Sequence, residues 1–188
     1  MLFMIGSACF VLGSVPAYLD GVGARADALT YVVGAVFFTA ASLGQLLQAQ
    51  SPTVPPLTWW SWQPHDRNWV AAATQFPGTL CFNVSTTAAL ATYASTQAEN
   101  HHVWRPDVVG STLFLVSSTF ALLAQAGLIA WLNMVGSVLF GISAIGAYVL
   151  PDGSAVDDLA AVGGTLLGAV CFFVGAALML VCFEGEPT

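Results

Sequence analysis

The sequence predicts an all-α membrane protein of six transmembrane helices that pack through faces of small residues. Composition gives the first observation, because 57% of the 188 residues are hydrophobic and only 7% are charged, against roughly 25% charged in a soluble domain. The second is a pattern that recurs once in each apolar segment: a glycine, a phenylalanine four residues later, and small residues at offsets seven and eight. We therefore expect one membrane domain over residues 1–188, in a multi-pass protein of the cell membrane.

The recurring pattern places one aromatic side chain and several small ones on the same face of each predicted helix. Offsets of four, seven and eight residues fall on one helical face. Small residues let helix backbones approach closely in lipid, where apolar side chains gain little by being buried. The predicted helix-packing glycines are Gly6, Gly34, Gly78, Gly110, Gly136 and Gly168. The phenylalanines of the pattern are Phe10, Phe38, Phe82, Phe114, Phe140 and Phe172.

Six apolar segments approach or exceed the length of about 20 residues that spans the hydrocarbon layer. The predicted spans cover residues of about 1–19, 28–48, 69–93, 108–125, 128–150 and 159–183. A proline-rich connection, residues 49–68, precedes the third span, and a polar loop, residues 94–107, precedes the fourth. The first segment lacks the positive start of a signal peptide and carries the recurring pattern, so we expect it to be a helix of the mature protein.

The spacing of the glycines favours three repeated helical hairpins. Within helix pairs one–two, three–four and five–six, the glycines lie 28, 32 and 32 residues apart. The alternative is two inverted halves of three helices each, as in many transporters. Six spans would put both termini on one side of the membrane. The three arginines are too few for the positive-inside rule to determine the orientation, and we slightly favour cytoplasmic termini.

Tryptophans cluster where the chain would cross the membrane interface. Five of the six tryptophans fall at one interface in the six-span topology, as expected for an aromatic belt. The predicted interfacial anchors are Trp59, Trp60, Trp62, Trp69 and Trp131. The alternative for the aromatic stretch is a platform that binds a ligand.

The charge distribution argues against several classes of function. The net charge is −7 and there is no lysine, whereas nucleic-acid binding needs clustered positive charge. No Asp, Glu, Lys, Arg or His lies near the middle of any predicted span. Because a charge at that depth is costly and is kept only for a role, the pattern argues against ion-coupled transport and metal redox chemistry. We expect membrane lipid as a partner, no nucleic acid and no cofactor.

No catalytic, cofactor-binding or metal-binding residues are predicted. Glu99, His101 and His102 are close in sequence, but no second Cys or His cluster accompanies them, and structural zinc takes four ligands. We interpret them as part of a solvated loop. The four cysteines form no Cys-x-x-Cys pair and are interpreted as small packing residues. With no recognisable nucleophile–base set or phosphate-binding loop, we expect a protein that is not an enzyme.

Uncharged polar residues within the spans have two interpretations. Hydrogen bonds between helices would satisfy them, each worth about 1 kcal/mol or less. The alternative is a polar lining for a small neutral or lipid-like ligand, with Asn83 as its best anchor. The candidate lining consists of Gln75, Asn83, Ser85, Thr86, Ser117 and Asn133.

Several stretches resemble YrhK-like membrane proteins, and most of all their larger actinobacterial members. The resemblance is carried by helices with Gly-Ser-x-x-Phe and Gly-Thr-x-x-Phe-Asn-x-Ser, by the Trp-rich stretch before the third span, and by Val103-Trp-Arg-Pro-Asp-Val-Val-Gly-Ser111. It covers nearly the whole chain and implies a multi-helix membrane fold without supplying catalytic residues. The corner at Ala126-Gly127 is shorter than the resemblance implies.

Together these features predict a non-enzymatic structural or accessory membrane protein that docks against itself or a larger membrane complex. If six small-residue faces exceed the needs of one compact bundle, some are left for a partner. We therefore expect a homo-oligomer or a subunit of a larger complex. The alternative function is a small transporter or channel for a neutral or lipid-like solute, lined by the six polar residues named above.

Overall fold

The computed structural model describes residues 1–50 and 61–184, and the side chains among them up to Val181. These residues form seven helices, which confirms the predicted all-α class for the described part of the chain. The helices are α1 (Leu2–Gly13), α2 (Pro16–Val22), α3 (Ala24–Gln50), α4 (Arg67–Ala88), α5 (Thr96–Ala124), α6 (Leu128–Gly146) and α7 (Asp158–Glu184). Helix α5 contains one stretch of π-helix, Asn100–Trp104.

Six of the seven described helices form a closed ring in chain order. Helix α1 packs on α3, α3 on α4, α4 on α5, α5 on α6, α6 on α7, and α7 packs back on α1. The short helix α2 packs on α3 and α1. The turns within the pairs α1–α3, α4–α5 and α6–α7 lie at one end of the ring, here named the hairpin end. Residue 1 and the last residues of α7 lie at the other, the terminal end.

Glycines bring the backbones of paired helices into contact. A Cβ added to Gly168 would lie 2.9 Å from the carbonyl oxygen of Gly136 and 2.5 Å from the ring of Phe140. Gly136 faces Phe172 in the same way, with its hypothetical Cβ 3.1 Å from that ring. The equivalent glycine pairs are Gly6 with Gly34 and Gly78 with Gly110. Each glycine thus makes room for its partner helix and for that helix's phenylalanine.

Six phenylalanines, one from each ring helix, fill the centre of the ring and are each at most 7% exposed. Those toward the hairpin end are Phe10, Phe82 and Phe140, and those toward the terminal end are Phe38, Phe114 and Phe172. Phe140 contacts both Phe10 and Phe82, with ring centroids 6.0 and 5.8 Å apart. Most of the contacts are edge to face, an arrangement that aromatic rings favour.

The residue after each helix-packing glycine is also small and buried, a feature that the recurring pattern had not included. These residues are Ser7, Ala35, Thr79, Ser111, Ser137 and Ala169, each 2% exposed or less. At one junction between hairpins, the Ser137 hydroxyl lies 2.6 Å from that of Ser118. The Ser7 hydroxyl is buried and has no hydrogen-bond partner among the described residues. Positions after the glycines therefore serve close packing first and hydrogen bonding only in some repeats.

The first apolar segment, predicted as one span over residues 1–19, is two helices that meet at an angle of 80°. Pro16 begins α2, and Val15 before it is extended. Proline has no N–H and disfavours helical backbone at the preceding residue. The Ser14 hydroxyl donates to the Phe10 carbonyl at 2.8 Å, which helps to end α1. The 12 residues of α1 are too few to cross the hydrocarbon alone.

The stretch predicted as a polar loop, residues 94–107, is helical from Thr96 onward. Ser95 caps this helix by accepting a hydrogen bond from the Ala98 N–H at 3.2 Å. Further along this helix, Pro106 has no N–H to donate to the preceding turn. A π-helical turn accommodates it, and in that turn the Arg105 N–H donates to the Asn100 carbonyl. The prediction missed this extension because charge, histidine and proline together are typical of loops.

Four helices, α3, α5, α6 and α7, are long and apolar enough to cross a membrane. The bent pair α1–α2 would be a fifth crossing if it forms one broken span. Helix α4 has 22 residues, but Gln75, Pro77 and Asn83 make it more polar. The described residues therefore contain four helices, or five with the bent pair, that could cross a membrane, and the predicted number of six is not confirmed.

Gly168→Ala should lower the free energy of unfolding by about 1–3 kcal/mol, the usual range for overpacking. The added methyl group would press on the carbonyl oxygen of Gly136, which is backbone and cannot rotate away. Gly163→Ala is the matched control in the same helix, since nothing lies within 4 Å of its Cβ position. Thermal unfolding of both variants in one detergent measures the difference. Equal midpoints for the two variants would contradict the proposed role of Gly168.

Ser137→Ala should destabilise the protein by about 0.6 kcal/mol, the average for a hydrogen bond inside a membrane protein, because it removes the bond to Ser118. Ser7→Ala at the equivalent repeat position should be neutral or stabilising, because its hydroxyl is buried and unpaired. Denaturant unfolding of both variants tests the contrast. A larger loss for Ser7→Ala would show that the two repeats pack differently from this description.

Candidate functional site

Two cavities lie on the axis of the ring, one on each side of the phenylalanine cluster. The cavity at the terminal end borders Phe38, Phe114 and Phe172 and is named the amide cavity. The cavity at the hairpin end borders Phe10 and Phe82 and is named the acidic cavity. All six ring helices contribute residues to each cavity. The cavities are therefore axial features of the ring, and the rings of the cluster form the barrier between them.

The acidic cavity has a volume of about 380 Å³, within the range of small-molecule sites. Three carboxylates line it: Asp27, Glu99 and Asp107. No arginine or histidine is among its described lining residues. The cavity therefore has an acidic lining without a basic side chain among the described residues.

Asp107 and Asp27 come from two different helices. Asp107 is on α5, well inside the helix that begins at Thr96, and Asp27 is in the first turn of α3. Asp107 is partly buried and lines the cavity, and its carboxyl group has no hydrogen-bond partner in the described structure. The Oδ1 atom of Asp27 is also buried without a partner. Both carboxylates thus retain unused hydrogen-bonding capacity.

The π-helical turn of α5 forms one wall of the acidic cavity and is bound to the turn after α6. The Asn100 amide donates to the Val149 carbonyl at 2.7 Å and accepts from the Val149 N–H at 3.0 Å. One helical turn further, the Trp104 indole N–H donates to the Ala144 carbonyl at 2.8 Å. These three bonds hold the early part of α5 against α6 and fix the wall in place.

The turn between α6 and α7 is stabilised by its own hydrogen bonds. Asp152 accepts from the N–H and the hydroxyl of Ser154 at 3.0 and 2.7 Å, and these bonds hold the pKa of this exposed carboxyl below its usual range. Gly153 has φ of +87°, a backbone conformation that favours glycine. The turn can therefore present Val149 to Asn100 in a defined position.

Four aromatic residues, Phe10, Tyr31, Phe82 and Trp104, also line the acidic cavity. The Tyr31 hydroxyl lies 2.9 Å from that of Ser14, and the Tyr31 ring meets Phe10 edge to face with centroids 5.2 Å apart. Trp104, held through its indole N–H, is a second ring in the lining. The cavity therefore combines carboxylates with aromatic surfaces whose orientations are fixed by hydrogen bonds.

The amide cavity is narrower, with a volume of about 40 Å³, enough for a few water molecules. Its amide side chains are Gln45, Gln75 and Asn133. The Ser117 hydroxyl donates to the Ala71 carbonyl at 2.8 Å and lies 3.2 Å from Oε1 of Gln75. This end of the axis is thus polar but uncharged in the described residues.

The structure divides the six candidate lining residues among three places. Gln75, Ser117 and Asn133 line the amide cavity, and Ser85 and Thr86 line the acidic cavity. Asn83 donates to the Thr39 hydroxyl at 2.5 Å, a hydrogen bond between α4 and α3. It is not a lining residue of either cavity. The six residues therefore do not form one continuous polar surface.

The predicted tryptophan anchors also differ from one another. Trp62 and Trp131 are 71% and 55% exposed, as an interfacial position requires. Trp69 is buried at 3% and packs edge to face with Trp62, with centroids 5.3 Å apart. Trp59 and Trp60 lie outside the described residues. The exposed pair fits an aromatic belt, whereas Trp69 belongs to the packed interior.

The two adjacent histidines are exposed and are used locally. His101 Nδ1 lies 3.0 Å from Nη1 of Arg105, and His102 stacks on Tyr93 with centroids 5.6 Å apart. Within the described ranges, no three Cys, His, Asp or Glu side chains are placed to hold one metal ion. Three cysteines, Cys9, Cys81 and Cys171, are half-buried free thiols.

The small-residue faces are occupied within the chain. Every one of the six helix-packing glycines contacts its partner helix in the same hairpin. The argument that some of these faces are left for a partner is therefore not supported by the packing. A partner would have to bind a different surface.

Sequence reasoning missed the carboxylates of the acidic cavity, although a signal for them was present. Asp107 lies seven residues before Phe114, and Asp27 lies 11 residues before Phe38. Both offsets return to the same face of a helix. Extending the face of each phenylalanine toward the hairpin end would therefore have placed both carboxylates on the ring axis.

Comparison with known proteins adds no relative: no protein-family model, curated protein or solved structure matches this chain. The resemblance to YrhK-like proteins therefore stays a prediction.

Asn100→Ala should lower the free energy of unfolding by about 1–3 kcal/mol, because it leaves the N–H and the carbonyl of Val149 without their partner. Amide hydrogen exchange in residues 147–157 should also accelerate, since the turn loses its attachment to α5. His101→Ala, an exposed neighbour in the same π turn, is the control and should change neither quantity appreciably. Unchanged exchange in the Asn100 variant would mean that this wall is held by other contacts.

Proposed function

We propose that this chain is a small transporter or channel whose solute moves along the axis of the six-helix ring. The observation that carries the proposal is the pair of cavities at opposite ends of one axis, each lined in part by polar side chains and separated by the phenylalanine cluster. Apolar constrictions of this kind gate membrane pores by excluding water. The described conformation would then be a closed state, with the phenylalanines as its gate.

The proposal requires that all six ring helices surround the path within the membrane. Helix α4, with 22 residues, is about 33 Å long, which matches the hydrocarbon thickness of about 30 Å. Its amides are directed at neighbouring helices, Asn83 toward Thr39 and Gln75 toward Ser117, so its polarity is compatible with a position between α3 and α5. We therefore propose six crossings, with α1 and α2 together forming the first as a broken span.

The hairpin α6–α7 is the best candidate for the moving part of the gate. Its contacts with the neighbouring helices α5 and α1 are the least extensive in the ring, whereas its own two helices are closely packed. Phe140 of this hairpin contacts Phe10 and Phe82, and Phe172 contacts Phe38 and Phe114. Outward movement of one hairpin would therefore separate both layers of rings together.

The accessory role predicted from the sequence stays the competing hypothesis. Its main argument was a surplus of small-residue faces, and the packing of all six glycines inside the chain removes that argument. An oligomer or a larger complex would have to form through the lipid-facing surface. The flux experiment below distinguishes the two roles, since an accessory protein need not conduct any solute.

The proposal predicts that liposomes containing the purified chain take up small solutes faster than protein-free liposomes. Stopped-flow light scattering would follow glycerol, urea and butylammonium chloride. Phe172→Leu should raise the rate severalfold, because it removes ring volume from the barrier. Phe173→Leu is the matched control, because the adjacent Phe173 borders an outer apolar groove with Val11 and Leu12. Equal protein content per liposome would be verified by absorbance.

Rates equal to those of protein-free liposomes for the wild type and for Phe172→Leu would reject the transport proposal. The same increase in Phe173→Leu and Phe172→Leu would show that leakage comes from general loosening of the ring. An increase confined to the Phe172 variant would identify the phenylalanine cluster as the barrier.

A further inference from the structure

We propose that the acidic cavity binds a small organic ammonium ion between the carboxylates of Asp27 and Asp107 and the surrounding aromatic rings. The inference deepens the proposed function by naming the class of solute, and it rests on that function for the ion's place on a transport path. The sequence had favoured a neutral or lipid-like solute, because the axial position of these carboxylates was not evident from it.

The charge of the cavity is the first argument. Three carboxylates line it, and no arginine or histidine is among the described lining residues. Arg25 is exposed at the start of α3, and Arg105 is exposed and hydrogen-bonded to His101. A carboxyl group held away from bulk water stays ionised only beside a partner charge and otherwise takes up a proton. A bound cation would supply the charge that the chain itself does not place there.

The unused hydrogen-bonding capacity is the second argument, and it points to a ligand with N–H donors. Asp107 is partly buried, lines the cavity and has no hydrogen-bond partner for its carboxyl group in the described structure. Asp27 has a buried Oδ1 atom that is likewise unpartnered. The two carboxyl groups belong to different helices, α5 and α3, so their lack of partners gives two separate observations. An ammonium group offers both a positive charge and the donors that these oxygens accept.

The aromatic lining is the third argument, and it favours an organic cation. Tyr31, Trp104, Phe10 and Phe82 present rings to the cavity. The faces of such rings attract cations, and their edges and surfaces accommodate alkyl groups. Tyr31 is fixed by Ser14, and Trp104 by its indole hydrogen bond. A ligand would meet these rings already oriented, which reduces the entropy lost on binding.

The arrangement of the acidic side chains distinguishes an organic ion from a metal ion. Divalent cations such as calcium take six to eight oxygen ligands converging within about 2.6 Å. In the part of the chain that the structure describes, no three acidic, histidine or cysteine side chains are close enough to share one metal ion. The volume of about 380 Å³ instead accommodates an ammonium group together with a short carbon chain.

Isothermal titration calorimetry of the purified full-length chain in detergent at low salt tests the proposal, with butylammonium chloride as the probe. The neutral molecule of similar shape, 1-butanol, is the ligand control. Asp107→Asn and Asp27→Asn should each weaken binding about tenfold or more, because each removes one charge from the pair around the ammonium group. Asp20→Asn is the protein control, since Asp20 is an exposed carboxylate near the same end that does not line the cavity.

Saturable butylammonium binding that both cavity variants weaken and Asp20→Asn does not would support the site. No binding by the wild type, equal binding of 1-butanol, or unchanged affinity in both cavity variants would overturn it. Circular dichroism verifies that each variant is folded. If Asp107→Asn does not fold, Asp27→Asn decides alone, and Asp107→Glu should retain binding because it keeps the charge.

The binding assay and the flux assay can fail separately. Butylammonium binding in the cavity without solute flux would retain the cation site and reject transport. Flux of glycerol with no butylammonium binding would retain the channel and reject the cation site.

Discussion

The ring depends on the approach of two glycines across each antiparallel pair of helices. In lipid, apolar side chains gain little by contacting each other instead of acyl chains, so helices must be held by close packing. Gly136 and Gly168 let the backbones of α6 and α7 touch, and the phenylalanine of each helix then lies over the glycine of the other. Three copies of this unit around one axis bring six rings to the centre. Each edge-to-face pair contributes about 0.5–1.5 kcal/mol, so the cluster joins the hairpins to one another as well as closing each of them.

The same cluster determines what can occupy the axis. No polar atom belongs to its six rings, so water and ions on the axis would meet an apolar barrier at this level. Polar side chains line the axis only beyond the two layers of rings: amides such as Gln75 at the terminal end, and carboxylates such as Asp107 at the hairpin end. The two ends therefore differ in charge. For the transport that we propose, unlike ends would suit selection of a solute at one end and its release at the other.

The recurring pattern allowed the helix-packing glycines and the all-α class to be predicted, because the contacts that it encodes are local to each helix face. The order of helices around the ring was not predictable from faces alone, since any arrangement of small faces would have satisfied the pattern. Asp107 fell in the predicted loop 94–107 and Asp27 lies just before the predicted second span, and closure of the ring brings both to one cavity. The early start of α5 was missed because Pro106 suggested a break, whereas the π turn before it absorbs the lost hydrogen bond.

Departures from the repeat are where specificity would arise. Seven residues before the second phenylalanine of each hairpin, the chain has Tyr31, Asp107 and Thr165, and all three line the acidic cavity. If these three positions served packing alone, similar side chains would suffice at all of them, as they do at the phenylalanines. These positions instead hold an aromatic ring, a carboxylate and a hydroxyl. One charged position out of three would suit the proposed solute, which has one charged end and an apolar body. It would give that solute a single orientation in a ring whose centre is otherwise repeated three times.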